Sequence, residues 1–145
     1  QYFPELENEL IEIKPVKSDA YFLLAQPSIK TLIQGIKKRS YFIRLNFKYM
    51  NCPPSYDALE AILVHELEHI KDYTRWNSAK IASHGVRYVS SRQFRAQYER
   101  STDKKVVKRG LNVGLANYRT WIYQWLSPKE YEKKRFYYLT PEELL

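Results

Sequence analysis

Five consecutive residues constrain this chain more than any others: His65-Glu66-Leu67-Glu68-His69. Residues i and i+4 of an α-helix stand on one face, about one turn apart. A helix here therefore aims both imidazoles at one point, with Glu66 beside them. Two neutral nitrogens at this spacing suit a zinc ion with three protein ligands and an open fourth position. A water there has its pKa lowered to about 7, and an adjacent carboxylate can take its proton. The lead-in Ala61-Ile62-Leu63-Val64 is apolar, as a buried helix requires.

Two histidines leave such a site one ligand short. The candidates downstream are His84, Glu99 and Asp103. Glu99 and Asp103 are four apart on a segment that reads as a helix from Ser91 to Arg109, stopped by Gly110. Like charges at that spacing on an exposed helix cost roughly 0.2–0.5 kcal/mol, whereas one carboxylate facing zinc and one holding a ligand histidine have complementary roles. The competing reading pairs Glu99 with Arg92 or Arg95, and Asp103 with Lys104 or Lys108, on a solvated surface.

The two segments together, His65-Glu66-Leu67-Glu68-His69 and Glu99-Arg100-Ser101-Thr102-Asp103, resemble the gluzincin class of zinc metallopeptidases, both thermolysin-type and minimal-scaffold members. The resemblance covers about residues 41–110. It implies zinc held by His65, His69 and Glu99, one ion per chain, with Glu66 as general base and Asp103 orienting His65. It also implies a zincin-like α+β fold: a small twisted mixed sheet with an edge strand ahead of the His-Glu-x-x-His helix, then a mostly helical C-terminal half. Such an edge strand takes an extended peptide substrate by strand addition. For stabilising an oxyanion, His84, Tyr88, Tyr118 and Tyr123 are the candidates.

The rest of the chain is read by pattern. Tyr41 to Met50 alternates apolar and polar residues and predicts a half-buried strand in the required position. Glu9–Val16 and Ala20–Ala25 are further strand candidates. Ile29–Ile36 is ambiguous between strand and short helix, with a turn at Gly35 and the basic residues after it. After Pro53-Pro54, a helix is expected from Asp57 to Tyr73, capped by Ser55 or by Asp57, the latter in a capping box with Glu60. An irregular stretch holding His84-Gly85 and an extended Val86–Val89 should follow, then a capping box of Ser90 and Gln93. A helix over Asn112–Leu126 and short helices begun by Ser127-Pro128 and Thr140-Pro141 complete the reading. Trp121, Trp125, Phe136 and Tyr138 are expected to close the core.

With 145 residues the chain suggests one domain, residues 1–145. Its formal net charge is +8, but the Lys/Arg clusters are scattered among acids, and nothing resembles a nucleic-acid module. No apolar run has the length of a membrane span. Cys52 is the sole cysteine, which excludes an internal disulfide and a Cys-based metal site. The start at Gln1 fits a processed chain, secreted or periplasmic, or an excised fragment, and does not exclude the cytoplasm. The functional expectation is a zinc metallopeptidase acting on peptides or proteins. The alternative is a catalytically weak or inactive zinc-binding domain whose basic, Tyr-rich surface binds an anionic partner. A latent enzyme, blocked by a segment outside this chain, is the third reading.

Overall fold

The computed structural model describes residues 2–19, 21–32 and 38–145. It is a mixed α+β structure in which a small three-stranded mixed sheet is followed by a mostly helical C-terminal half. The strands are β1 (Leu10–Val16), β2 (Leu23–Pro27) and β3 (Ser40–Asn46). The helices are α1 (Ile29–Leu32), α2 (Tyr56–Arg75), α3 (Ser78–Ser90), α4 (Arg92–Lys108), α5 (Asn112–Tyr123), α6 (Pro128–Tyr137) and α7 (Pro141–Leu144).

The expected edge strand requires correction. The order is β1-β3-β2, so the strand predicted at Tyr41–Met50 is the centre of the sheet. It pairs parallel with β1, Ile13 opposite Ile43, and antiparallel with β2, Ala25 opposite Ile43. It also ends early, at Asn46, in a 3-10 turn over Phe47–Tyr49. Buried Asn46 makes that turn: its side chain accepts from Lys48 N–H at 3.1 Å and donates to the Tyr21 carbonyl at 2.7 Å. The edge strand next to α2 is β2, which starts at Leu23 rather than Ala20; Ala20 lies outside the described residues, as do Gly35 and the second half of Ile29–Ile36.

α2 is the spine. Ala58, Ala61, Ile62, Val64, His65, His69 and Ile70 are buried along it, and it packs against β2, α4 and α5. Its close approach to α5 rests on small residues. A Cβ on Gly114 would collide with the Asp57 carbonyl and lie 3.1 Å from the Ala61 methyl. The expected Asp57–Glu60 capping box does not form. Asp57 is inside the helix and accepts from Asn117 Nδ2 on α5 at 2.6 Å, while Ser55 holds the cap position. At the other end, the Arg39 guanidinium donates to the carbonyls of Tyr73 and Trp76 and to Ser78 Oγ, satisfying terminal carbonyls that a helix leaves open.

The irregular stretch and extended Val86–Val89 are instead the helix α3. Asn77 caps it by accepting from Lys80 N–H at 2.8 Å. Ile81, His84 and Tyr88 follow helical spacing and share its inner face, while Val86 and Val89 are exposed. The next cap shifts by one residue: Ser91, not Ser90, accepts from Phe94 N–H at 3.2 Å. Gly110, at φ 79°, ends the α4 segment. Leu115, Tyr118 and Ile122 bury the α5 stripe, whereas Trp125 and Phe136 remain largely exposed and do not close the core. Ser127 and Thr140 cap α6 and α7 as their spacing predicts, Thr140 with Glu143 in a capping box.

Candidate metal centre

α2 and α4 bring His65, His69 and Glu99 to one point, all three buried. His65 Nε2 is 3.1 Å from His69 Nε2 and 3.2 Å from Glu99 Oε2; His69 Nε2 is 3.3 Å from the same oxygen. The three atoms form a nearly equilateral triangle. Three donors of a tetrahedral zinc at about 2.0–2.1 Å lie roughly 3.3–3.4 Å apart. The group therefore has the size to hold such an ion.

The opposite ring nitrogens fix which atoms carry protons. His65 Nδ1 lies 2.9 Å from Asp103 Oδ1, an oxygen that also accepts from Arg119 Nη2 at 2.9 Å. Burial alone would raise the Asp103 carboxyl, but the Arg119 guanidinium and the His65 ring outweigh it and hold it below the ordinary range. An ionised carboxylate favours a hydrogen on the Nδ1 it faces, which in the neutral ring leaves His65 Nε2 with a lone pair. His69 Nδ1 is 3.0 Å from the Tyr98 hydroxyl, which itself donates to Asp72 Oδ2 at 3.2 Å. That oxygen then accepts from Nδ1–H, and His69 Nε2 also presents a lone pair.

The two Nε2 atoms and Glu99 Oε2 thus converge on one buried point, an arrangement that a positive charge stabilises. A proton can supply the charge: burial drives the His65 imidazole toward neutrality, yet Asp103 and Glu99 overcome it and raise it to about 9. The Glu99 carboxyl, opposed by burial, is driven well below its usual value by the His69 and His65 rings. A divalent ion satisfies all three donors at once, and the carboxylate–histidine pair on the far side of His65 is the support such ligands characteristically have. The residues present fit the ion.

The surface pairings considered for Glu99 and Asp103 do not occur, because both side chains are buried: Glu99 is 2% exposed and Asp103 0%. Asp103 also ties the site to the helical half, since Oδ2 accepts from Leu139 N–H at 2.8 Å. His84 is not drawn to the triangle. It stacks among Trp76, Phe94 and Tyr98, with ring centroids 4.7, 5.1 and 4.3 Å away.

Glu66 sits beside the triangle, and its Oε2 accepts from Ala25 N–H of β2 at 2.6 Å. The hydrogen bonds from Asn46 N–H to Phe22 and from Ser28 N–H to Ser40 set the alternation of β2. Leu24 and Gln26 therefore bond β3, and Leu23 and Ala25 turn their peptide groups toward the free edge. That edge and the triangle share a cavity of about 490 Å³.

Of the hydroxyl and imidazole candidates, Tyr88, His84 and Tyr118 line this cavity and Tyr123 does not. Tyr88 donates to Glu99 Oε1. Tyr98, Arg95, Arg119, Lys134 and Tyr138 also belong to the site, and the sequence did not single them out. Tyr138 is buried as expected, in a small cluster with Ala96 and Tyr137, and it also places its ring 5.9 Å from that of His65. Desolvation pushes the Tyr88, Tyr98 and Tyr138 hydroxyls up, so they stay protonated and act as donors. No helix among the described residues is long and apolar enough to cross a membrane. No protein-family model, curated protein or solved structure matches this chain.

Proposed function

We propose that the protein is a zinc-dependent peptidase of zincin-like architecture, with one zinc per chain on His65, His69 and Glu99. The observation that carries this reading is the convergence of His65 Nε2, His69 Nε2 and Glu99 Oε2 within 3.3 Å, with Glu66 at their side. A bound zinc would supply a Lewis acid and an acidified water. Ala25 N–H holds one oxygen of Glu66, and the other makes no hydrogen bond among the described residues. That oxygen is the general base for a water attacking a peptide carbonyl. Asp103, 2.9 Å from His65 Nδ1, and Tyr98, 3.0 Å from His69 Nδ1, favour the tautomers whose Nε2 faces the ion.

The substrate is an extended chain laid along β2. Among the described residues, the Leu23 N–H and C=O and the Ala25 C=O have no backbone partner, the pattern that strand addition uses. The strand expected in this role, Tyr41–Met50, is covered on both sides and cannot take it. Tyr88, whose hydroxyl donates to the Glu99 carboxylate, is the oxyanion candidate in direct contact with the triangle.

Hydrolysis of a mixed peptide library by the zinc-loaded protein tests the reading. Glu66→Gln should keep its zinc and lose at least about 10²-fold in rate. Full activity in that variant would remove Glu66 from the mechanism. Zinc binding with no hydrolysis of any peptide would favour the inactive binding domain.

A further inference from the structure

Two cations in the cavity have no carboxylate partner. Lys134 and Arg95 both line it, and neither makes an ion pair among the described residues. Their neighbours are paired: Lys133 meets Glu130 at 2.6 Å, and Arg119 meets Asp103 at 2.9 Å. Lys134 Nζ lies 5.0 Å from the centroid of the Tyr138 ring, which also meets Arg119, His65 and the Arg95 guanidinium. Arg95 lies over the rings of Tyr88 and Tyr137, at 4.8 and 4.3 Å. A single aromatic ring therefore separates each cation from a donor of the metal triangle, Tyr138 from His65 and Tyr88 from Glu99.

We propose that Lys134 and Arg95 form an anion subsite that takes a carboxylate of the peptide substrate. The inference rests on the peptidase reading and adds the substrate class. Withdrawing an ammonium from water without a counter-charge is costly. Lys134 is half-buried, and desolvation, then the nearby Arg119, push its ammonium down to about 8 against the opposing pull of Glu99 and Glu66. A carboxylate arriving with the substrate supplies the missing charge. Peptides hold one in two places, at the C-terminus and on Asp or Glu side chains, and both have the chemistry that an Arg and a Lys recognise.

Calorimetric titration of the zinc-loaded Glu66→Gln protein separates the two sources. Acetylated apolar hexapeptides ending in carboxylate or carboxamide form one pair, and carboxamide peptides carrying one Glu or Gln form the other. The acidic member of at least one pair should bind about tenfold or more tightly. Preference in the first pair identifies the terminal carboxylate, and in the second the side chain. Lys134→Gln and Arg95→Gln should each reduce that preference, with zinc content and melting temperature unchanged, and Lys134→Arg should restore it. Equal binding within both pairs would overturn the subsite, as would a preference that survives Lys134→Gln combined with Arg95→Gln. If the preference is present but the parent protein hydrolyses nothing, the peptidase reading fails and the subsite stands.

Discussion

His65 Nε2 and His69 Nε2 face each other across 3.1 Å, while His65 Nδ1 lies 2.9 Å from an Asp103 oxygen and His69 Nδ1 3.0 Å from the Tyr98 hydroxyl. Two imidazoles in that state repel unless a cation sits between them. Glu99 adds a third donor and a negative charge from a different helix. The α2–α4 contact therefore gathers two imidazoles and a carboxylate that a shared positive charge would stabilise. Other bonds hold the pair together around this point: Glu68 receives Arg109 at 2.6 Å, and Asp72 receives Lys105 at 3.0 Å.

Asp103 joins His65, Arg119 and the peptide of Leu139. Asp103→Ala leaves a buried guanidinium without its counter-charge, which should cost about 3–5 kcal/mol of stability. Urea unfolding of the metal-free protein measures it. Tyr98→Phe removes the acceptor of His69 Nδ1–H but no charge. It should leave the unfolding midpoint nearly unchanged while weakening zinc binding roughly 10–100-fold.

Gly114 is where α5 crosses the first turns of α2. An added methyl meets the Asp57 carbonyl, which is backbone and cannot swing away. Gly114→Ala should destabilise the fold by about 1–3 kcal/mol, despite the better helix propensity of alanine. Thermal unfolding reads this directly, and a variant as stable as the parent would contradict the packing described.

Lys134 faces Arg119, Arg95, Glu99 and Glu66, and its ammonium titrates near 8 rather than at the usual ~10.4. The depressed value sets the sign. The unfolded chain keeps the proton longer, so between these two values Lys134 makes stability rise with pH, and the contribution is lost as pH falls through 8. Substrate selection runs the other way. The preference for an acidic peptide should weaken as pH rises above about 8, while Lys134→Arg should hold it to higher pH. Dissociation constants measured from pH 6 to 10 decide the point.

The readable parts of the sequence were those with a strong period or a fixed chemical spacing. The α2 helix announced itself through its apolar lead-in and the two histidines, and α4 through Glu99, Asp103 and the stop at Gly110. α3 was hidden because its inward residues are Ile81, His84 and Tyr88, only one of them aliphatic, with Gly85 and a Ser90-Ser91 pair imitating a loop. The spacing of those three residues was the available signal. Alternation in β3 marked a strand with unlike faces but carried no information on its neighbours, and its parallel partner β1 is about 30 residues away in sequence. Tyr98, Tyr138, Arg95 and Lys134 could not stand out among 13 Tyr and 24 Lys and Arg. Their roles come from where α3, α4 and α6 converge, which no local pattern records.

The central claim is that His65, His69 and Glu99 grip one divalent ion. Elemental analysis of the protein after zinc loading and exhaustive dialysis tests it, alongside His69→Ala and Glu99→Ala. The account predicts one zinc per chain in the parent and a large loss in each variant. A parent that retains no zinc, or variants that retain as much as the parent, would contradict it.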